Sequence, residues 1–241
     1  MKRKLPIYCV LILIYIGCKK PGCFENAGPT VTVSRPASSF RRIDLFDNVD
    51  LILTQDSIEA IKIVAPKNIE PNISTQIQNG VLTIRNNTDC KWLRSSNEKP
   101  VVYINIKALD HFEYSGSGEV HSANTIVANA ISFYSATGAG NVDITLDAKQ
   151  LTVNVEYESA DFIFHGKADL AYCYAGSRGT LGLKDIVVKR LVIGYASVRD
   201  LFVNATDAIE ANIYHTGNIY YRGTPVIATT YYSSGRLYPA Q

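Results

Sequence analysis

The sequence predicts an all-β protein: a right-handed parallel β-helix in coils of about 20 residues, preceded by an N-terminal strand and hairpin region. Three observations predict it. A Tyr followed by a small, polar or Gly-containing turn recurs at Tyr114, Tyr134, Tyr157, Tyr174, Tyr195, Tyr214 and Tyr232, at intervals of 20, 23, 17, 21, 19 and 18 residues. A period near this length is a solenoid signature. Between the turns, apolar residues alternate at period two, as in Val142/Ile144/Leu146, Phe162/Phe164, Leu181/Leu183, Leu201/Val203 and Ile219/Tyr221. Asn141, Asp143, Asp161, Lys184, Asp200, Asn204 and Arg222 hold the other parity, so each strand has one face in and one face out. Amphipathic helical periodicity is absent from the same stretch.

The first 17 residues read as an export signal. Lys2-Arg3-Lys4 is a charged n-region, and residues 5–16 are almost wholly apolar, the length of an h-region and too short to span a bilayer. The run ends in Tyr15-Ile16-Gly17-Cys18, which resembles a bacterial lipobox, so Cys18 is the expected site of acylation and of a membrane tether. Without the three n-region cations, 21 of the 24 basic residues remain against 22 acidic ones. A near-neutral body with no basic tract gives no electrostatic case for nucleic acid.

Residues 18–29 carry Pro21, Gly22, Gly28 and Pro29 without periodicity and read as a tether. Residues 30–107 form the N-terminal β region, with strands expected at 30–34, 40–46, 49–54 and 60–65, where Val and Ile are dense. Pro66 and Pro71 bound a connector with room for one helical turn at most. Strands at 73–78 and 81–85 flank Asn79-Gly80, a two-residue hairpin signal because both central residues of a type I′ turn need positive φ. Residues 86–100 are irregular and hold Cys90 and Trp92; residues 101–107 are again a strand. The repeats occupy 108–241, and 30–241 is expected to be one continuous domain. Turns within the coils are expected at His165-Gly166, Thr206-Asp207 and Gly223-Thr224-Pro225. At ~4.8 Å per coil, seven coils make a rod roughly 30–35 Å long.

Export places the cysteines in an oxidising compartment. Cys9 leaves with the signal and Cys18 takes the lipid; Cys23 and Cys90, in irregular segments flanking the N-terminal strands, are the expected disulfide, with Trp92 packed over it. Cys173, beside Tyr172 and Tyr174, reads as a half-buried free thiol. No Cys-x-x-Cys spacing supports zinc.

The seven tyrosines are the candidate ligand face, and two readings stay open. They form either an exposed aromatic strip for a sugar or a protein partner, or an internal stack stabilising the coils by roughly 0.5–1.5 kcal/mol per pair. Parity with Val153/Val155, Leu170/Tyr172 and Leu191/Ile193 points Tyr157, Tyr174 and Tyr195 inward; Phe133 and Ile213 place Tyr134 and Tyr214 outward or at a corner. Glu156, Glu158 and Asp161 are the best acidic cluster, but no two acids share a ladder position as a paired-carboxylate hydrolase requires. His111, His121, His165 and His215 fall at unrelated positions in their coils, so neither a metal site nor a triad is supported. Arg178 and Arg199, next to Asp200, read as a surface ion-pair group. No catalytic residue, cofactor or metal is assigned.

The Ser-Gly-Ser-Gly turn (115–118) and its echoes at this spacing, Asn-Gly-x-Leu-x-Ile from Asn79 to Ile84, and Tyr-x-Gly-x-Pro from Tyr221 to Pro225 resemble the putative auto-transporter adhesin, head GIN domain family, over residues 38–236. The coils at Tyr157 and Tyr195 lack the glycines of the turn. The resemblance implies a β-helical protein of the Gram-negative envelope and carries over no catalytic residue. Together the readings give a non-enzymatic, lipid-anchored envelope protein binding a polysaccharide or protein partner along the solenoid face. The competing readings are a β-helical glycosidase or lyase and a purely structural envelope protein.

Overall fold

Aliphatic residues at every second position must be buried on one side of each strand, and a chain with no amphipathic helix can bury them only by stacking strands on strands. A computed structural model describes residues 26–89, 99–156, 159–176 and 178–240. Among these, 17 strands form one hydrogen-bonded system, a β-solenoid of about six turns. They are β1 (Thr30–Arg35), β2 (Arg42–Asp47), β3 (Asp50–Gln55), β4 (Ala60–Pro66), β5 (Ile73–Gln78), β6 (Val81–Asn86), β7 (Val101–Ile106), β8 (His111–Gly116), β9 (Glu119–Ser122) and β10 (Ile126–Ser135). There follow β11 (Asn141–Val155), β12 (Asp161–Ala175), β13 (Leu181–Tyr195), β14 (Leu201–Ile213), β15 (Ile219–Arg222), β16 (Val226–Tyr231) and β17 (Leu237–Pro239).

The rungs build two principal faces. The first runs β5–β6–β2–β8–β10–β11–β12–β13–β14–β16, parallel except for the β5–β6 hairpin. The second runs β1–β4–β7–β3–β9 and on through the leading halves of β11 to β14 to β15 and β17, parallel except at β1–β4 and β4–β7. The strands β4 and β5, antiparallel to β7 and β6, therefore cover the open edge of the parallel stack at its N-terminal end, with β1 outside β4. Chain order and stacking order differ there: the β2–β3 rung lies between β6–β7 and β8–β9. The parallel stack runs through residue 107 without a break.

The long strands β11 to β14 each serve both faces. In β11 the in–out alternation is broken by two consecutive exposed residues, Lys149 and Gln150, where the strand rounds a corner and its buried parity changes. His165-Gly166 and Thr206-Asp207, expected as turns, are such bends inside continuous strands, with Gly166 at φ +94°. Gly223-Thr224-Pro225 is a true turn between β15 and β16. Asn79 and Gly80 have φ of 53° and 76° and close the β5–β6 hairpin as the dipeptide predicts. Glu70–Asn72, at Pro71, is a single 3-10 turn.

One core fills the solenoid. Its widest section is aromatic: Phe133 meets Phe164 at 5.0 Å and Phe112 at 5.9 Å, and Tyr114 meets Phe162 edge-on at 6.1 Å. The turns stack as closely as the strands. A Cβ on Gly118 would lie 1.9 Å from the Val49 carbonyl oxygen, and one on Gly140 would lie 2.2 Å from that of Gly118. Only glycine lets the coils close to this distance. Cys23, Cys90 and Trp92 lie outside the described residues, as does Cys18.

Gly118→Ala is therefore expected to cost about 3 kcal/mol, because no flexible side chain can yield to its Cβ. Gly80→Ala has open space around its Cβ and only positive φ to pay for, about 1 kcal/mol. Urea unfolding of the two variants checks the order; equal losses would mean that turn-to-turn contact does not limit the stack.

Candidate functional site

The strand register decides which face each recurring tyrosine occupies. Tyr134, Asn154, Tyr174, Gly194, Asn212 and Thr230 are successive partners in one column on the first face. The next column holds Ser135, Val155, Ala175, Tyr195, Ile213 and Tyr231. Side chains in the first column point out and those in the second point in, apart from Tyr231 in the last coil, which is exposed. Tyr195 thus lies in the core, as does Tyr114, which sits below Ser135 and accepts that hydroxyl at its carbonyl oxygen. Tyr134 and Tyr174 point outward. Tyr214 and Tyr232 occupy a third column at the turn, where the Tyr214 amide donates to the Tyr195 carbonyl and the Tyr232 amide to that of Ile213. Tyr157 and Glu158 lie outside the described residues. The seven positions are therefore not one face: Tyr114 and Tyr195 are withdrawn from it.

The two inward tyrosines use the same device. Each phenol donates to the carbonyl four residues on, Tyr114 to Gly118 and Tyr195 to Arg199, both at 2.6 Å, so a buried hydroxyl satisfies a turn carbonyl. Tyr174, expected inward with Leu170 and Tyr172, is outward because the buried set in β12 is Ala171, Cys173 and Ala175. Its ring is spread over two glycines. A Cβ on Gly176 would meet its Cε1 at 3.1 Å, and a Cβ on Gly194 would meet the opposite edge, Cδ2, at 3.0 Å. The ring of Tyr214 reaches the same Gly194 from the other side, at 3.5 Å, and stacks on Tyr232 with centroids 4.8 Å apart. Tyr172 is exposed two residues before Tyr174. The result is an open aromatic strip, Tyr172–Tyr174–Tyr214–Tyr232, on a floor of glycine backbone.

Tyrosine spacing did not reveal a second aromatic column, on the other face. Phe202, Tyr220 and Tyr238 are register partners, with centroids 5.1 Å apart for the first pair and 5.7 Å for the second. The signal was present: the three recur at 18-residue intervals, the length of the last coils.

The polar groups are committed to local structure. Glu156 accepts from Asn154 at 3.1 Å, and Asp161 accepts the Thr180 amide at 2.6 Å. The ion pair expected for Arg199 and Asp200 is replaced by bonds from Arg199 to the Thr180 hydroxyl and from the Asn218 amide to Asp200. His165 meets Asp143 at 3.0 Å, and His121 meets Glu119 at 3.3 Å. His111, whose Nδ1 is 2.7 Å from the Ser132 hydroxyl, is held below the usual imidazole range by burial and then by the charge of Arg42. Among the described residues no group of three or more His, Cys, Asp or Glu could hold a metal ion.

The family model described as putative auto-transporter adhesin, head GIN domain, matches residues 39–225. A putative adhesin from Bacteroides fragilis NCTC 9343 is similar in structure, with a TM-score of 0.79 at 22% identity, covering 88% of this chain and 97% of that one. A putative adhesin from Parabacteroides distasonis ATCC 8503 has a TM-score of 0.67 at 17% identity, over 88% and 98% of the two chains. A putative lipid binding protein from the same organism has a TM-score of 0.70 at 19% identity, over 89% and 98%. At these identities the likeness carries the fold. No curated protein matches the chain.

Cys173 is buried rather than half-exposed, and desolvation pushes its thiol up to about 12. Iodoacetamide at pH 8 is expected to leave Cys173 unmodified in the folded protein and to alkylate it in denaturant, as read by peptide mapping. Rapid labelling of the native protein at Cys173 would show that this stretch of β12 opens.

Proposed function

The chain belongs to the putative auto-transporter adhesin, head GIN domain family, and from that premise we propose that it is a non-enzymatic, lipid-anchored adhesin of the cell envelope that holds a polysaccharide on its tyrosine strip. One observation carries the reading: the Tyr174 ring laid across Gly176 and Gly194, with Tyr172, Tyr214 and Tyr232 beside it. Exposed aromatic rings on a surface of this kind suit the apolar C–H face of a sugar. Tyr214 and Tyr232 add rings on further rungs, spaced ~4.8 Å apart, so the aromatic surface is extended along the axis, which suits a polymer. Asn212, in the Tyr174 column, adds an amide beside it.

A hydrolase on this face would need two free carboxylates at a fixed separation; Asp161 is engaged with the Thr180 amide and Glu156 with Asn154. The export signal and the Cys18 lipobox support the anchor and the envelope location.

A glycan array probed with the mature chain is expected to show binding that falls about tenfold or more in Tyr174→Ala and Tyr214→Ala, with circular dichroism unchanged. Binding indifferent to both substitutions, or depolymerisation of the glycan lost in Glu156→Gln, would overturn the proposal. Mass spectrometry of the N-terminal peptide from membranes is expected to find a diacylglyceryl thioether on Cys18, and Cys18→Ser is expected to release the protein from the membrane fraction. An unmodified Cys18 in the processed protein would refute the anchor.

A further inference from the structure

The second face carries an aromatic column at the same end of the solenoid as the tyrosine strip, on different strands and with different flanking charge. The register sets out three adjacent columns of side chains there. Phe202, Tyr220 and Tyr238 form the middle column; Asn204 and Arg222 are partners on one flank, and Asp200, Asn218 and Arg236 line up on the other. Ring planes within 17° and 30° of each other, with centroids 5.1 and 5.7 Å apart, exceed the ~3.5–4.0 Å of face-to-face carbon contact. The rings are therefore offset like shingles, each leaving part of a face open, and Phe202 keeps 49% of its surface exposed. A cavity of about 700 Å³ lies beside the rings, lined by Arg222, Asn218 and Pro239 as well as the three aromatics.

The charge around that cavity is one-sided. Among the described residues Arg222 makes no ion pair, and no carboxylate lines the cavity. Asp200, the nearest acid in the field, stands on the far flank and accepts both the amide and the side-chain Nδ2 of Asn218, at 3.0 and 3.2 Å. Arg236 is turned away, donating to the Ser233 and Gly235 carbonyls at 2.8 Å with its guanidinium 5.0 Å from the Tyr231 ring centroid. The field thus presents open aromatic faces next to one guanidinium that has no partner among the described residues, and a guanidinium matches a carboxylate in a planar, two-point fashion.

We infer that this face is a second carbohydrate site, selective for an acidic sugar: a uronic acid whose ring packs on Phe202 and Tyr220, whose carboxylate pairs with Arg222 and whose hydroxyls meet Asn204. The site shares no residue with the tyrosine strip, so the two stand or fall separately.

The test is isothermal titration of the mature chain with uronic-acid oligosaccharides and with the neutral oligosaccharides of the same linkage. Uronic-acid oligomers are expected to bind and their neutral parents to bind at least tenfold more weakly, with affinity falling as salt is raised. Arg222→Gln is expected to erase that preference, Arg222→Lys to restore part of it, and Tyr220→Ala to abolish binding of both ligands. Lys149→Gln, which removes the same charge at a corner of the solenoid, is expected to change nothing. Should Tyr220→Ala lose its fold by circular dichroism, the surface substitution Arg222→Gln decides alone. Absence of binding by any uronic-acid oligomer, equal affinity for acidic and neutral sugars, or a preference unaltered in Arg222→Gln would each overturn the inference.

Discussion

Closure of successive coils to backbone hydrogen-bonding distance, at the turns as well as along the strands, is the constraint on which the rest of this molecule depends. The ladder does not stop where the strands end. The Ser117 amide donates to Asp47, Ala139 to Gly116, Asp161 to Gly140, Gly217 to Ser197 and Gly235 to His215, all between 2.8 and 3.1 Å. Backbone groups that would otherwise be orphaned in a packed corner are paired from one coil to the next. The requirement for glycine follows directly, since a Cβ on Gly217 would stand 2.0 Å from the Arg199 carbonyl oxygen. It also explains how the coils at Tyr157 and Tyr195 manage without glycine. Gly179 faces the Ala160 carbonyl and Gly217 that of Arg199, so a glycine on one side of the contact is enough.

Tight turns leave an inner volume that aliphatic residues of the strands do not reach. Tyr114 and Tyr195 fill it, and each brings its hydroxyl to a carbonyl of its own turn. The Tyr114 ring in turn dictates the next coil: a Cβ on Gly138 would lie 2.6 Å from its Cδ1, and one on Gly140 would lie 2.1 Å from its hydroxyl. The glycines of the 135–140 turn thus answer both to the backbone beneath and to the ring inside. A recurring Tyr-turn pattern in the sequence has a structural cause at these positions, while at others the ring lies on the surface.

That mixture marks the limit of what the sequence shows. The strand alternation, the Asn79-Gly80 hairpin and the stacked coils are local or periodic, and were legible. Which way a tyrosine points is not, because a shift of one residue exchanges the faces of a strand. The columns advance by 20 residues from Tyr134 to Gly194 and by 18 from Gly194 to Thr230, while the tyrosines advance by 17 to 23, so they drift across three columns. Counting from a conspicuous residue hides this; counting from the register exposes it. Placement of β2–β3 between β6–β7 and β8–β9 was equally hidden, since strand partners far apart in sequence leave no local mark. The Phe202, Tyr220 and Tyr238 column was legible at a constant interval of 18, but only to a search that treated Phe and Tyr alike.

The outer surface changes character along the axis, and the direction of that change matters for the proposed anchor. Near the N-terminal end the first face carries Arg42 paired with Asp44 and Glu113, and beside it Arg41 paired with Asp110. Exposed pairs of this kind contribute little to stability and keep a sheet face wet. Toward the C-terminal end both faces turn aromatic. Since β1 is the outermost strand at the N-terminal end of the second face and begins at Thr30, a lipid on Cys18 would tether the molecule by its ion-paired end. The aromatic faces would then project away from the bilayer, where a long polymer can reach two sides of the solenoid at once. The two proposed sites on one rigid body would act at a high effective concentration for each other, so modest stacking on either face would still give firm attachment.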